Sequence, residues 1–210
     1  MTYELPPLRF GWHALEPYFS AEMLQRHVEI HRRYTDEINA ILRQHPELDG
    51  QTIERVMLAV PQLPEPLREQ VRLAAGGHGD HQFFWKIIGP PTAKTAPAGA
   101  LAEAIERSFG SFAGFRDEFY RRALALDGQG WAFLVASAWG SDSVEIVTLP
   151  NNDSVLPLKK PGVMICDLWD HAREPKYASR AAYLDAFFKV IDWPVCAARF
   201  QGFVDGSMRV

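Results

Sequence analysis

The chain has 210 residues, of which 47% are hydrophobic and 23% charged, enough for one large domain or two small ones and unlike the composition of a disordered chain. Its 22 Lys+Arg against 26 Asp+Glu give a net charge of -4 with no basic run, so nucleic acid is not an expected partner. The N-terminus carries no export or transit pattern, no stretch approaches about 18 uninterrupted apolar residues, and Cys166 and Cys196 cannot form a disulfide framework; the expectation is a soluble, cytoplasmic chain with reduced thiols and no membrane partner.

After a proline-rich opening, Ser20 is a candidate cap for a long helix reaching about residue 44, with Glu22 in its first turn. Two adjacent apolar stripes run along it, one through His27 and one through His31, so both histidines are expected to face inward. A loop at 45–50 and the prolines 61, 64 and 66 lead into a second helix, about 65 to 88, whose inward line includes Val71, Ala74, His78, His81 and Trp85. The two form a helical hairpin. Gly76, Gly77 and Gly79 lie inside the second helix, where glycine costs about 1 kcal/mol relative to alanine, so something is expected to approach the backbone there.

The segment GPPTAKTAPAG, 89 to 99, breaks all periodicity and is the expected domain boundary. Helices are expected near 99–109 and 111–126, then strands in WAFLVASAW, VEIVTL and VMICDLW, then a last helix from about Ser179 to Asp192. The fold class is therefore α+β: a helical N-terminal half, then an α+β half around a small antiparallel sheet.

Three places carry side chains that hold metals: His27 with His31; His78, Asp80 and His81; and Asp167, Asp170 and His171. Neutral imidazoles and carboxylates in an apolar surrounding suit a transition metal. Each segment alone reads more simply as hydrogen-bonded core, whereas the three together point to one metal site. The i, i+4 spacing of His27 and His31 also suits a zinc hydrolase, but no glutamate is placed as in HExxH.

YELPPL, LEPYFSAEMLQRH, HQFFWKI, AIERSFGSFAGFRDEF, GQGWAFLV and DLWDHA follow one another between Tyr3 and about Trp193. In that order they resemble the iron/manganese superoxide dismutase family. The resemblance implies an N-terminal helical hairpin domain over 1–90, a C-terminal α+β domain over 91–210 with a three-stranded antiparallel sheet, and a metal site between them. It implies His27, His81, Asp167 and His171 as ligands of one manganese or iron ion per chain, and superoxide as substrate. Tyr34 and His31 match the pair guarding the family's substrate channel, and Phe84, Trp85, Trp131 and Trp169 match its aromatic lining.

Departures from the pattern mark this chain. His27 to Tyr34 is seven positions, one fewer than in the family, as if a π-bulge in the first helix had been lost. Asn152 stands for the glutamine that usually serves the metal-bound solvent, or Gly77 stands at that glutamine's other possible position. Gly77 and Phe84 lean towards manganese, and Asn152 weakens that lean. DLWDHARE replaces DVWEHAYY, so Asp170 stands for a glutamate reaching across a homodimer to the partner's histidine ligand. Glu174 stands for a tyrosine, and it needs a cation at a buried junction, with His31 and Arg173 as candidates. A homodimer through Asp170, His171 and Glu174 is expected. The alternative is a catalytically altered relative that serves as a metal-binding or interaction protein.

Overall fold

The computed structural model describes residues 2–208. Ser20 accepts a hydrogen bond from the Met23 N–H and starts helix α1, Ala21–Gln44, with Glu22 favourably placed in its first turn. The helix is α-helical throughout, with no π segment, consistent with the shortened spacing between His27 and Tyr34. Its buried line includes Met23, His27, His31, Ile38 and Leu42, and it lies against α3, Leu67–Ile87. Those are the two long helices expected from the sequence.

Between them lies α2, Ile53–Ala59, capped by Thr52, which the sequence reading did not anticipate. Seven residues make barely two turns, too few for a helical period to register. Val56 and Met57 of α2 are buried beside Ile38 and Val71, and Gly79 of α3 gives the Met57 sulfur room to approach the backbone.

Beyond residue 98 come α4, Gly99–Phe109, and α5, Phe112–Ala125, separated by Gly110 in the left-handed conformation at φ +77°. Strands β1 (Gly130–Ala136), β2 (Val144–Pro150) and β3 (Gly162–Asp167) form an antiparallel sheet in the order β2-β1-β3. Strands β1 and β3 are buried along their whole length, which is why they read as continuous apolar runs rather than alternating ones. Trp131 pairs with Asp167 across β1 and β3, placing both at the end of the sheet.

A single turn, α6 (Asp170–Arg173), follows β3, and then α7 (Arg180–Val190) and α8 (Trp193–Val204) close the chain. The expectation that the last helix spans about 179–192 is thus corrected: that stretch is α7, and a further helix follows. Pro194 does not stop α8 but sits in its first turn, where its missing N–H has no helical partner to lose, and Asp192 caps it through the Val195 N–H. The large core joins the sheet, α5, α7 and α8 to the end of α3. Among the described residues, no helix is long and apolar enough to cross a membrane.

Candidate metal centre

His27 from α1, His81 from α3, Asp167 at the end of β3 and His171 in α6 converge, with one ligand atom of each lying within 4.8 Å of all the others. Asp167 Oδ2 is 3.0 Å from His27 Nε2, 3.2 Å from His171 Nε2 and 3.6 Å from His81 Nε2. Three of the four are buried, and His171 keeps 17% of its side chain exposed, giving the cluster one open side.

Local backbone groups aim these atoms. Asp167 Oδ1 accepts from the Trp169 N–H at 2.8 Å, which turns Oδ2 towards the imidazoles. His81 Nδ1 donates to the Gly77 carbonyl at 2.5 Å, so its proton lies there and its Nε2 lone pair is free. His27 Nε2 and His81 Nε2 are both buried without a hydrogen bond, since the 3.0 Å approach of His27 to Asp167 is not aligned as one. Two buried lone pairs beside a carboxylate are costly unless a cation joins them.

Burial pushes the pKa of His27 and His81 down. Burial alone would raise Asp167, but His171 and His27 outweigh it and hold the carboxyl well below the usual range. Three imidazole nitrogens and one carboxylate oxygen form a donor set that fits a first-row transition ion.

The expected aromatic residues pack on these imidazoles. Trp85 and Phe84 lie 4.7 and 5.2 Å from the His27 ring, Trp131 5.0 Å from His81, and Trp169 5.6 Å from His171. Tyr34 reaches the same place, its ring 5.6 Å from that of His81, and burial raises the phenol pKa.

Asn152 is buried in the turn after β2, where Asn151 adopts φ +52°, a conformation asparagine tolerates. The Asn152 backbone carbonyl occupies the space that a side chain on Gly76 would need. Asn152 Nδ2 donates to the Leu73 carbonyl at 3.0 Å, while Oδ1 has no partner, so half of the amide is engaged by α3. Trp131 Nε1 is also buried without a partner.

His31 is fully buried and stacks on His81 at 5.2 Å, while its ring nitrogens bond outside the four-residue cluster. Trp85 Nε1, which can only donate, contacts His31 Nδ1 at 3.1 Å, so the His31 proton sits on Nε2 and is given to His78 Nδ1 at 3.0 Å. His78 Nε2 lies 3.0 Å from the Gln82 amide nitrogen. Thr35 donates to the His31 carbonyl and lies 2.9 Å from His78 Nδ1. Burial lowers His31 to about 3 and His78 to about 4.

Each short cluster recognised in the sequence is therefore divided: His27, His81, Asp167 and His171 meet, whereas His31 and His78 face each other. Asp80 accepts from Ser154, and Asp170 accepts from its own neighbour Arg173 at 2.7 Å. Glu174 lies 3.8 Å from Arg173, the nearer of its two candidate cations to be engaged. In the single chain the Asp170 and Glu174 side chains are half exposed, not buried. Sequence reasoning missed Thr35 and Gln82, although each stands four residues after a histidine of this pair, which is helical contact spacing.

Residues 2–89 match the family model described as iron/manganese superoxide dismutases, alpha-hairpin domain, and residues 97–199 match iron/manganese superoxide dismutases, C-terminal domain. The chain is 38% identical over 203 residues to a protein of Listeria innocua named superoxide dismutase [Mn], covering 96% of this chain and 98% of that one. Proteins of the same name from Listeria monocytogenes and Listeria ivanovii are similar to the same extent.

Proposed function

Because the chain belongs to the iron/manganese superoxide dismutase family, we propose that it converts superoxide to oxygen and hydrogen peroxide, with His27, His81, Asp167 and His171 holding one manganese or iron ion. The observation that carries the reading is the convergence of two orphaned imidazole lone pairs, His27 Nε2 and His81 Nε2, on Asp167. When bound, the ion supplies the one-electron oxidation of one superoxide and the one-electron reduction of another. Manganese is favoured by the names of the relatives and by the residue types at Gly77 and Phe84, a lean that Asn152 weakens.

The chain's own residues do the rest. Asp167 supplies the single negative charge of the donor set, and the Trp169 N–H and the Gly77 carbonyl hold Asp167 and His81 in position. The four aromatic neighbours exclude bulk water and keep the imidazoles still. Tyr34, kept protonated by burial, holds a proton beside His81 for the peroxide-forming half of the reaction, with Asn152 next to it. His31, stacked on His81 at 5.2 Å, accepts from Trp85 and so holds that ring in place beside the channel it is read as guarding with Tyr34.

The open side at His171 belongs to a cavity of about 660 Å³ that Arg26, Arg32 and Arg33 of α1 also line. Arg32 is paired with Glu29, and the remaining positive charge suits an approaching anion. The reading further includes a cytoplasmic homodimer joined through Asp170, His171 and Glu174, and two domains meeting near residue 90.

One observation favours a second reading. Asp170 is already held by Arg173 of its own chain, which competes with any role across a dimer and suits a relative that keeps the metal but not the turnover. Superoxide consumption by protein loaded with manganese or with iron, paired with elemental analysis, separates the two. The expected result is one ion per chain with turnover far above spontaneous dismutation; full occupancy without turnover would replace the first reading by the second.

A further inference from the structure

Asp80 and Arg72 take no part in the four-residue cluster, yet both reach the turn that carries Asn152. Successive side chains of that turn each meet α3. Asn152 Nδ2 donates to the Leu73 carbonyl at 3.0 Å, Asp153 Oδ1 accepts from Arg72 Nη1, and the Ser154 hydroxyl donates to Asp80 Oδ1 at 2.8 Å.

Arg72, Gly76 and Asp80 follow one another at i, i+4 spacing and so form one row along α3. Gly76 has no side chain, and the Asn152 carbonyl fills that space, which sets how closely the turn approaches the helix. Arg72 and Asp80 lie on either side of Gly76, about 12 Å apart along the axis, and set where along the helix the turn sits. The neighbouring row of Leu73, Gly77 and His81 faces the site: Leu73 holds the Asn152 amide, Gly77 meets Tyr34, and His81 points to Asp167.

Arg72 is itself fixed. Its Nε and Nη2 donate to the two carboxylate oxygens of Glu69 at 2.9 and 2.7 Å, which orients the guanidinium and leaves Nη1 for Asp153. Ion pairs this near to solvent add little stability, so the consequence of the contact is positional. Ser154 and Asp80 are both buried, and their bond is shielded from competing water. The Asn152 amide is held only through Nδ2, since Oδ1 has no partner, so its placement depends on where the turn is held.

We propose that Arg72, acting through Asp153, and Asp80, acting through Ser154, are positioning residues that keep the Asn152 amide in register with His81 and Tyr34. The assignment rests on the dismutase reading and on Asn152 acting at the metal centre.

The test uses manganese-loaded protein and reads its reduction potential, its visible absorption band and its turnover, with urea unfolding alongside. Asn152→Ala is the reference and is expected to move both potential and band. Arg72→Gln and Ser154→Ala are each expected to move them in the same direction and to lower turnover by about two- to ten-fold, the range that accompanies loss of one hydrogen bond. Arg72→Lys, which keeps the charge, is expected to lie nearer the unaltered protein. In an Asn152→Ala background neither substitution should add a further shift, because both act through that amide. Should Arg72→Gln not fold, Asp153→Asn breaks the same pair. Lower stability with unchanged potential and band, or shifts that persist without Asn152, would overturn the clamp while leaving Asn152 its role. If Asn152→Ala itself moves nothing, the role of Asn152 is lost and the clamp with it, whereas absence of turnover in the unaltered protein would strike the dismutase reading instead.

Discussion

The Tyr34 ring lies where a side chain on Gly77 would have to be: a Cβ built at Gly77 comes within 2.5 Å of the ring carbons. The tyrosine of α1 and any larger residue at that point of α3 therefore exclude each other. An amide serving this region has to enter from another segment, and Asn152, in the turn after β2, is the one in place.

Gly77→Ala is expected to displace Tyr34, destabilise the protein by about 1–3 kcal/mol and lower turnover. In a Tyr34→Ala background the same substitution should cost far less. Urea unfolding of the four proteins of this cycle measures the coupling; additive costs would mean that the two residues do not compete for space.

His81→Ala or Asp167→Ala is expected to abolish stable metal binding, because each removes one of four converging donors from a buried site. Elemental analysis after dialysis checks this. Full occupancy with unchanged activity in either variant would remove the ligand assignment.

Asn152→Gln lengthens by one methylene an amide whose Nδ2 is now held by the Leu73 carbonyl. The longer side chain is expected to reach further towards the metal centre and to alter both turnover and the preference for iron or manganese. If neither moves, Asn152 does not act on the centre.

His78 is buried, and its pKa falls from 6.5 to about 4, so below pH 6.5 the unfolded chain binds a proton that the folded chain refuses. Stability is therefore complete above pH 6.5 and declines as pH falls towards 4, by up to about 3 kcal/mol for this residue. Denaturant unfolding of the metal-loaded protein between pH 7.5 and 4.5 is expected to follow a shallower slope in His78→Asn; identical slopes would mean that another group governs the acid limb.

Asp170→Ala is expected to weaken a homodimer and reduce turnover together, with Arg173 freed in each chain. Light scattering at micromolar concentration provides the check. A fully active monomer, or a variant unchanged in both properties, would set the proposed dimer contact aside.

The parts of the fold legible from sequence are those whose signal is long or simple. Helices α1 and α3 run for 24 and 21 residues with inward stripes, and β1 and β3 are buried on both faces and so read as apolar runs. Helix α2 is too short to display a period, and α8 was hidden by Pro194, which starts a helix as readily as it ends one. At the site, periodicity placed His27, His31, His78 and His81 inward but could not say which of them meet. That choice depends on side-chain partners: the Trp85 indole and Thr35 commit His31 and His78 to each other, while the Gly77 carbonyl turns His81 to Asp167. The grouping of His27 and His81 with Asp167 and His171, separated by much of the chain, came from the resemblance alone.

The burial of His27, His81 and Asp167, at 3%, 0% and 0% exposure, also governs when an ion can enter. Their donors come together only after α1, α3 and the end of the sheet have packed, and the partly exposed His171 is then the side from which they are approached. If exchange through that side is slow, the ion carried would be the one available when the chain closes and not the one that would win at equilibrium. Metal identity would then record the folding environment, which is tested by comparing chains refolded with manganese in excess against finished protein later exposed to the same mixture.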